Sequence, residues 1–281
     1  MGFLYLFLSI LGESSGKTID KFNFRRNRVN PRQLLFIVFY TMTASIFGFI
    51  ILTKQTFPHI SLITLALLIG IAIFSFGGNV FDCLSLKADD LSLREPLVDF
   101  EPILTGFLGY LIFPAERKTA FLVAFILGAL IVRWGIHRRK LRKFQSKGIY
   151  YLWIGVLLYA IVPIFYKEAL VHLSPTYIAF FRVSSILLLT SIFFPPKRLK
   201  GLSPKMTIYG VLSGLAYAVG AIVSLYAIKV FGVVLTMLFL MLGPALRYYS
   251  GKFILREKVR MGEVISSVLL TIVVVVAAII R

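Results

Sequence analysis

Acidic residues, histidines and cysteines are scarce in this sequence. Its 281 residues include 12 Asp and Glu, three His and one Cys, against 31 Lys and Arg. The single cysteine, Cys83, excludes an internal disulfide framework and any site built from several cysteines. His59, His137 and His172 lie far apart, and neither a His-Glu-x-x-His nor a Gly-x-Ser-x-Gly motif occurs. The sequence therefore predicts no metal, no other cofactor and no enzymatic activity.

Apolar residues, by contrast, are in excess. They make up 58% of the chain, and the mean hydropathy is +0.88. A soluble domain is about 45–50% apolar. One protein core cannot bury this surplus, so much of the apolar surface is expected to face a lipid bilayer.

The net charge of +19 is gathered in short runs between apolar stretches, notably at Arg25–Arg28 and Arg138–Lys143. Such runs are typical of cytoplasmic loops of membrane proteins. No soluble region remains that could bind nucleic acid, so we expect no nucleic-acid partner.

Charged or Pro/Gly-bearing breaks divide the chain into about ten apolar segments of membrane-spanning length. Period-two alternation is absent from them, which favours helices over a barrel. The sequence therefore predicts an all-α, multi-pass membrane protein. The predicted spans are roughly 3–22, 31–53, 59–86, 90–113, 118–137, 149–171, 174–195, 203–229, 231–255 and 260–280.

The chain carries an internal repeat. A lysine is followed fifteen positions later by a proline, and then by a glutamate in a charged loop: Lys87, Pro102 and Glu116, then Lys229, Pro244 and Glu257. Asn30-Pro31 and Ser174-Pro175 open the second span of each half. We predict two five-helix repeats, at 1–137 and 149–281, joined by a basic linker at 138–148. An odd number of spans inverts the second repeat relative to the first, as in many secondary transporters.

These repeated features resemble the drug/metabolite transporter superfamily, EamA type. Tyr226-Ala227-Ile228-Lys229, Gly243-Pro244 and Arg256-Glu257-Lys258 carry the resemblance, and Leu84–Lys87, Glu101-Pro102 and Ala115–Arg117 match it more loosely. The resemblance covers nearly the whole chain. It implies a ten-helix fold whose cavity is lined mainly by spans one, three, four, six, eight and nine. It also implies transport of small organic solutes, such as amino acids or metabolites, with export more common than uptake.

Membrane orientation is a point of departure from the family, whose members usually keep both termini in the cytoplasm. Here the cations follow the odd-numbered spans, and the even-numbered loops offer little beyond Lys54, Arg117, Lys118 and Lys229. The positive-inside rule then predicts that both termini lie outside a cell membrane. An alternative is that the first segment does not span.

Polar residues interrupt the first span at Gly12–Thr18. Three residues, not four, separate Gly12 from Gly16-Lys17, so this is not a phosphate-binding loop. Glu13 and Lys17 are four apart and can form an ion pair on one helical face. We predict that Glu13, Ser14 and Lys17 line a substrate pathway; the alternative is a paired charge tolerated near the bilayer edge.

Carboxylates also occur in spans three and four. Asn79 and Asp82 share a polar patch, whereas Glu95 and Asp99 place two like charges on one helical face. A charged residue at the centre of a span costs about 2.5–3.5 kcal/mol on insertion scales, so such groups usually have a partner or take part in the protein's function. Asp99 is the predicted coupling site for a proton or cation. The alternative is a structural role, in which Glu95 pairs with Arg94 and Asp99 has Lys17 or a backbone group as its partner.

The second half contributes fewer charges to the predicted pathway. Arg247 follows Pro244 and could attract an anionic substrate group, although such an arginine often has a structural partner. Tyr159, Tyr217 and Tyr226 could stack on or hydrogen-bond a solute, or could serve only as packing residues.

The leading functional hypothesis is a secondary transporter that alternates access to a midplane cavity. The alternative is a membrane scaffold or assembly protein that transports nothing. Gly210 and Gly214 form a small-xxx-small motif that is compatible with packing inside a monomer or at a homodimer face.

Overall fold

A computed structural model of the chain describes residues 2–27, 29–88, 97–98, 100–137, 147–193, 202–243, 246, 254 and 261–280. Within these residues all regular secondary structure is helical, which confirms the predicted all-α class. The long helices are α1 (Gly2–Asn27), α2 (Pro31–Leu52), α3 (Leu62–Ala88), α4 (Phe100–Ile112), α5 (Thr119–His137), α6 (Lys147–Ala169), α7 (Pro175–Phe193), α8 (Pro204–Leu240) and α9 (Met261–Ile279). A 3-10 turn, Pro114–Glu116, lies between α4 and α5.

Three helices begin at a proline that follows a capping side chain. The Asn30 side chain accepts a hydrogen bond from the backbone N–H of Arg32, and α2 starts at Pro31. Ser203 accepts in the same way from the N–H of Met206 at the start of α8. Proline fits the first helical position because its missing N–H would have no intrahelical partner there. The predicted starts at Pro31 and Pro175 are confirmed.

Five helices in the described part are long and apolar enough to cross a membrane. They are Pro31–Leu52, Leu62–Asp82, Lys147–Ala169, Pro175–Phe193 and Pro204–Leu240, and shorter apolar helices cover Phe100–Ile112, Thr119–Trp134 and Val264–Ile279. Helix α1 has sufficient length at 26 residues but falls outside this set because of its polar second half. The arrangement of ten spans in two inverted repeats stays a prediction.

Helix α8 contains a backbone break. Gly232 has φ 81° and ψ 175°, a conformation that lies outside the helical region and that residues with a Cβ rarely adopt. The break falls next to the predicted boundary between the spans at 203–229 and 231–255. Residues 244–245 and most of 247–260 lie outside the described residues.

The helices group into two compact units, and each unit combines segments from both predicted repeats. The first unit comprises Phe3–Gly77 and Phe165–Lys229; the second comprises Gly78–Ile164 and Val230–Arg281. These units do not test the predicted repeat boundaries at 1–137 and 149–281, which stay a prediction. Residues 138–146 of the predicted linker lie outside the described part.

Glycines permit close helix packing inside the first unit. A Cβ on Gly214 would lie 2.7 Å from Thr41 Cβ, and one on Gly210 would lie 2.8 Å from Ile37 Cγ2. Both contacts are between α8 and α2, so the predicted small-xxx-small motif packs within the chain. Helix α2 also packs along α7.

In the second unit, α5 packs against α4 and α9. Leu270, Val274 and Ala277 of α9 are buried, whereas Ile272 and Val276 on the same helix are about half exposed. Exposed apolar side chains are found on nearly every helix, as expected of a protein whose outer surface meets lipid rather than water.

Candidate functional site

Helices α1 and α8 meet in the first unit at backbone-contact distance. A Cβ added to Gly12 would lie 2.8 Å from the Cα of Gly220, and one added to Gly16 would lie 2.7 Å from the ring of Tyr217. Larger residues at these glycines would separate the helices. We call the line of contact between α1 and α8 the α1–α8 seam.

A polar network lies near one end of this seam. The Tyr217 hydroxyl donates to Asp20 Oδ2 at 2.9 Å, and Ser213 Oγ lies 2.5 Å from Asp20 Oδ1. Ser213 Oγ is also 3.3 Å from the carbonyl oxygen of Gly16. Further along, the Asn23 side chain donates to the carbonyl of Met206 at 3.1 Å. Both carboxylate oxygens of Asp20 therefore have a hydroxyl group from α8 as a partner.

Glu13 and Lys17 form the predicted ion pair on α1, with 3.2 Å between Glu13 Oε1 and Lys17 Nζ. Their side chains are 41% and 29% exposed, so solvent screens the attraction and the pair contributes little to stability. Ser14, one residue along, is buried, and its carbonyl accepts a bond from the Thr18 hydroxyl at 2.8 Å.

Tyr226 lies towards the other end of the seam. Its ring stacks on that of Tyr5 in α1, with 5.6 Å between the ring centroids. The predicted pathway residues of α1 and α8 are thus held on one pair of helices: Glu13, Ser14, Lys17, Tyr217 and Tyr226.

Three further predicted residues belong to the second unit, where α3 and α6 pack closely. A Cβ on Gly78 would lie 3.0 Å from the Tyr159 ring, and a Cβ on Gly155 would lie 3.5 Å from the backbone nitrogen of Asp82. Asn79 and Asp82 are half-buried on α3. We call this contact, with Asn79, Asp82 and Tyr159, the α3–α6 seam. Glu95, Asp99 and Arg247 lie outside the described residues.

Glu116 makes a contact that the sequence did not reveal. Its carboxylate accepts from the backbone N–H groups of Val233 at 3.3 Å and Val234 at 2.7 Å, immediately after the Gly232 break. The first N–H groups of a helix lack intrahelical partners and carry partial positive charge, so a carboxylate stabilises them. Arg117 donates to the carbonyls of Tyr110 and Leu111. The loop after α4 therefore caps two helix ends.

Arg182 occupies a mid-helix position on α7 in the first unit. Its Nε donates to the buried hydroxyl of Ser75 on α3 at 3.2 Å, and its guanidinium lies 5.8 Å from the centroid of the Tyr166 ring. These contacts join α3, α6 and α7 through one cation. The described residues contain no group of three or more His, Cys, Asp or Glu placed to hold a metal ion.

Comparisons with known proteins agree with the predicted resemblance. Residues 146–279 match the model of the EamA-like transporter family, which confirms the predicted resemblance for that part of the chain. No curated protein matches the sequence. Among solved structures, 28 chains match, and one of them is described only as a "crystal structure of protein". That structure has a TM-score of 0.72 and 15% identity over 99% of this chain and 97% of its own; at that identity the likeness shows the fold alone.

Proposed function

We propose, from the premise that residues 146–279 belong to the EamA-like transporter family, that the chain is a secondary transporter of small organic solutes. The family match is the observation that carries the proposal. The apolar helices independently support the more general conclusion that the chain is a multi-pass membrane protein.

Polar groups on the helices support transport rather than a purely structural role. Arg182 and Asp82 lie on α7 and α3, two helices whose other residues are mostly apolar. Ionisable residues in membrane spans are rare and usually face a protein interior or a water-filled cavity, because lipid solvates charge poorly. A scaffold needs none of them.

The proposed pathway includes polar residues from both seams. On the α1–α8 seam these are Glu13, Lys17 and Tyr217; on the α3–α6 seam they are Asn79, Asp82 and Tyr159. We further propose that ten spans in two inverted repeats alternate access to a midplane cavity, with export as the direction. The sequence repeat and the family resemblance support these finer points.

Ligand-induced stabilisation of the purified protein tests the proposal across many candidate solutes at once. A solute bound at 100 times its dissociation constant stabilises the folded state by about 2.7 kcal/mol. We therefore expect at least one member of a library of amino acids and related metabolites to raise the unfolding temperature.

Two tyrosine variants separate a specific effect from a general one. Tyr217→Phe keeps the ring but removes the hydroxyl at the α1–α8 seam, and it should reduce the stabilisation by the active solute. Tyr150→Phe is the matched control, because Tyr150 is 67% exposed on α6. If the active solute stabilises both variants equally, Tyr217 is not part of the pathway. If no solute in the library raises the unfolding temperature, the result would favour a scaffold.

A further inference from the structure

Three helix ends of the first unit lie together. The Asn23 side chain near the end of α1 donates to the carbonyl of Met206 in the first turn of α8. A Cβ on Gly210 of α8 would lie 3.6 Å from Leu34, which is in the first turn of α2. The last turns of α1 and the first turns of α2 and α8 therefore share one end of the unit, which we call the basic end. Its described cations are Lys21, Arg26, Arg32 and Lys205.

Acidic residues are scarce beside these cations. The sequences of α2 and α8 contain no Asp or Glu, and that of α1 contains Glu13 and Asp20 alone. Glu13 is paired with Lys17, and both carboxylate oxygens of Asp20 have hydroxyl groups of α8 as partners. The basic end therefore carries a net positive charge. The N-termini of α2 and α8 add partial positive charge at the same place.

An aromatic pair lies beside the exposed guanidinium of Arg26. The rings of Phe22 and Tyr209 are 5.0 Å apart between centroids, and the Arg26 guanidinium lies 5.5 Å from the centroid of the Phe22 ring. Tyrosine is enriched where a membrane span meets the headgroup region. The position of Tyr209 thus suits a basic end at the level of lipid phosphates, and Arg26 is exposed to them.

Lys205 lies at the N-terminal end of an apolar stripe on α8. The stripe consists of Ile208, Leu212, Leu215 and Val219, which are 58%, 46%, 43% and 51% exposed. Their spacing of four, three and four residues places them on the same helical face as Lys205. The residues of α8 that pack against α1 and α2 lie on the opposite face: Gly210, Ser213, Gly214, Tyr217 and Gly220. The stripe therefore offers an acyl chain an apolar surface that begins at a cation.

We propose that the basic end binds an anionic phospholipid, with its phosphate at Arg26 and Lys205 and an acyl chain along the apolar stripe of α8. A molecule with a charged head and an apolar tail matches both features, whereas a soluble anion uses only the cations. The predicted orientation places this end at the cytoplasmic leaflet, where anionic lipids create a negative surface potential. The inference depends on a membrane location and not on transport.

Native mass spectrometry of the full chain, purified in an uncharged detergent, tests the proposal with defined lipids. Phosphatidylglycerol should bind the wild type more tightly than phosphatidylcholine, which has no net charge. One basic residue near an anionic surface changes binding by about fivefold, so Arg26→Gln and Lys205→Gln should each weaken phosphatidylglycerol binding by about that factor. Lys54→Gln is the matched control, because it removes the same charge from an exposed position beyond the other end of α2.

A second set of measurements separates a whole lipid from its headgroup. Leu212→Ala shortens a side chain of the stripe and should weaken phosphatidylglycerol binding, because less apolar surface is buried. Leu188→Ala is its control, since Leu188 is 62% exposed on α7. Glycerol phosphate, which is a headgroup without acyl chains, should not displace phosphatidylglycerol at equal concentration.

Four results would overturn the assignment. They are equal binding of the two lipids by the wild type, the same affinity in Arg26→Gln and Lys205→Gln as in Lys54→Gln, the same affinity in Leu212→Ala as in Leu188→Ala, and displacement by glycerol phosphate. The last result would indicate a site for soluble anions. If one charge variant fails to fold, the other still decides the question, because each removes a single exposed cation.

Discussion

Replacing Glu116 with alanine is expected to loosen the part of α8 that follows the Gly232 break. The carboxylate accepts two backbone N–H groups, those of Val233 and Val234, and only the second bond is short, at 2.7 Å. Loss of a capping side chain costs about 0.5–2 kcal/mol. A negative charge beside a helix N-terminus contributes about 0.3–1 kcal/mol more. Because the two terms overlap and one bond is long, we expect a total of about 1–2 kcal/mol.

Hydrogen exchange of the backbone amides measures this loss where it occurs. A change of one or two kcal/mol alters an equilibrium by a factor of about 5–30, so the amides of residues 233–236 should exchange faster by that factor in Glu116→Ala. Glu116→Gln keeps one acceptor oxygen without the charge and should give an intermediate value. Glu168→Ala, at the exposed end of α6, should leave these amides unchanged.

The result that would refute the reasoning is unchanged exchange at 233–236 in a folded Glu116→Ala protein. It would mean that the N–H groups find other partners and that the carboxylate does not hold the break. A residue other than glycine at position 232 provides a second check. Its φ of 81° would be strained, and its Cβ would collide with the Glu116 carboxylate.

Two further predictions concern packing and topology. Gly12→Leu should prevent α1 from reaching α8 and should abolish a monodisperse peak in size-exclusion chromatography. Gly48→Leu is the control and should be tolerated, because nothing lies within 4 Å of its added Cβ. A monodisperse peak from Gly12→Leu would contradict the close contact at the α1–α8 seam. In a Cys83→Ser background, an impermeant maleimide should label Lys118→Cys on intact cells and Lys205→Cys only after permeabilisation. The opposite pattern would show that both termini lie inside.

Local chemistry made several helix starts predictable. Asn30 and Ser174 precede prolines, and a polar side chain followed by proline both caps a helix and fixes the first φ angle. The predicted Glu13–Lys17 pair also follows from local geometry, because residues four apart share a helical face. Such features depend only on neighbours in the sequence.

Helix partners could not be predicted in the same way. In lipid, burial of an apolar helix face gives no preference for one helix partner over another, so composition does not predict that α1 packs against α8. Tyr217 was a candidate on the sequence alone, but Asp20 and Ser213 were not linked to it. A pair of small residues, Gly12 on α1 opposite Gly220 on α8, is the signal that could have joined the two helices.

The Glu116 cap was missed for a different reason. Glu116 was noted as a marker of the repeat, and Gly232 is one of 21 glycines, so neither residue shows by itself that it contacts the other. The contact exists because the backbone turns at a positive φ and exposes N–H groups to a loop 117 residues earlier in the chain. Only the tertiary fold supplies that information.

Solute flux in proteoliposomes tests the central claim most directly. The purified chain should accelerate movement of a stabilising solute across the bilayer, with saturation at high solute concentration and without ATP. Liposomes that lack the protein give the background. Flux at the background rate, from folded protein that binds the solute, would contradict transport.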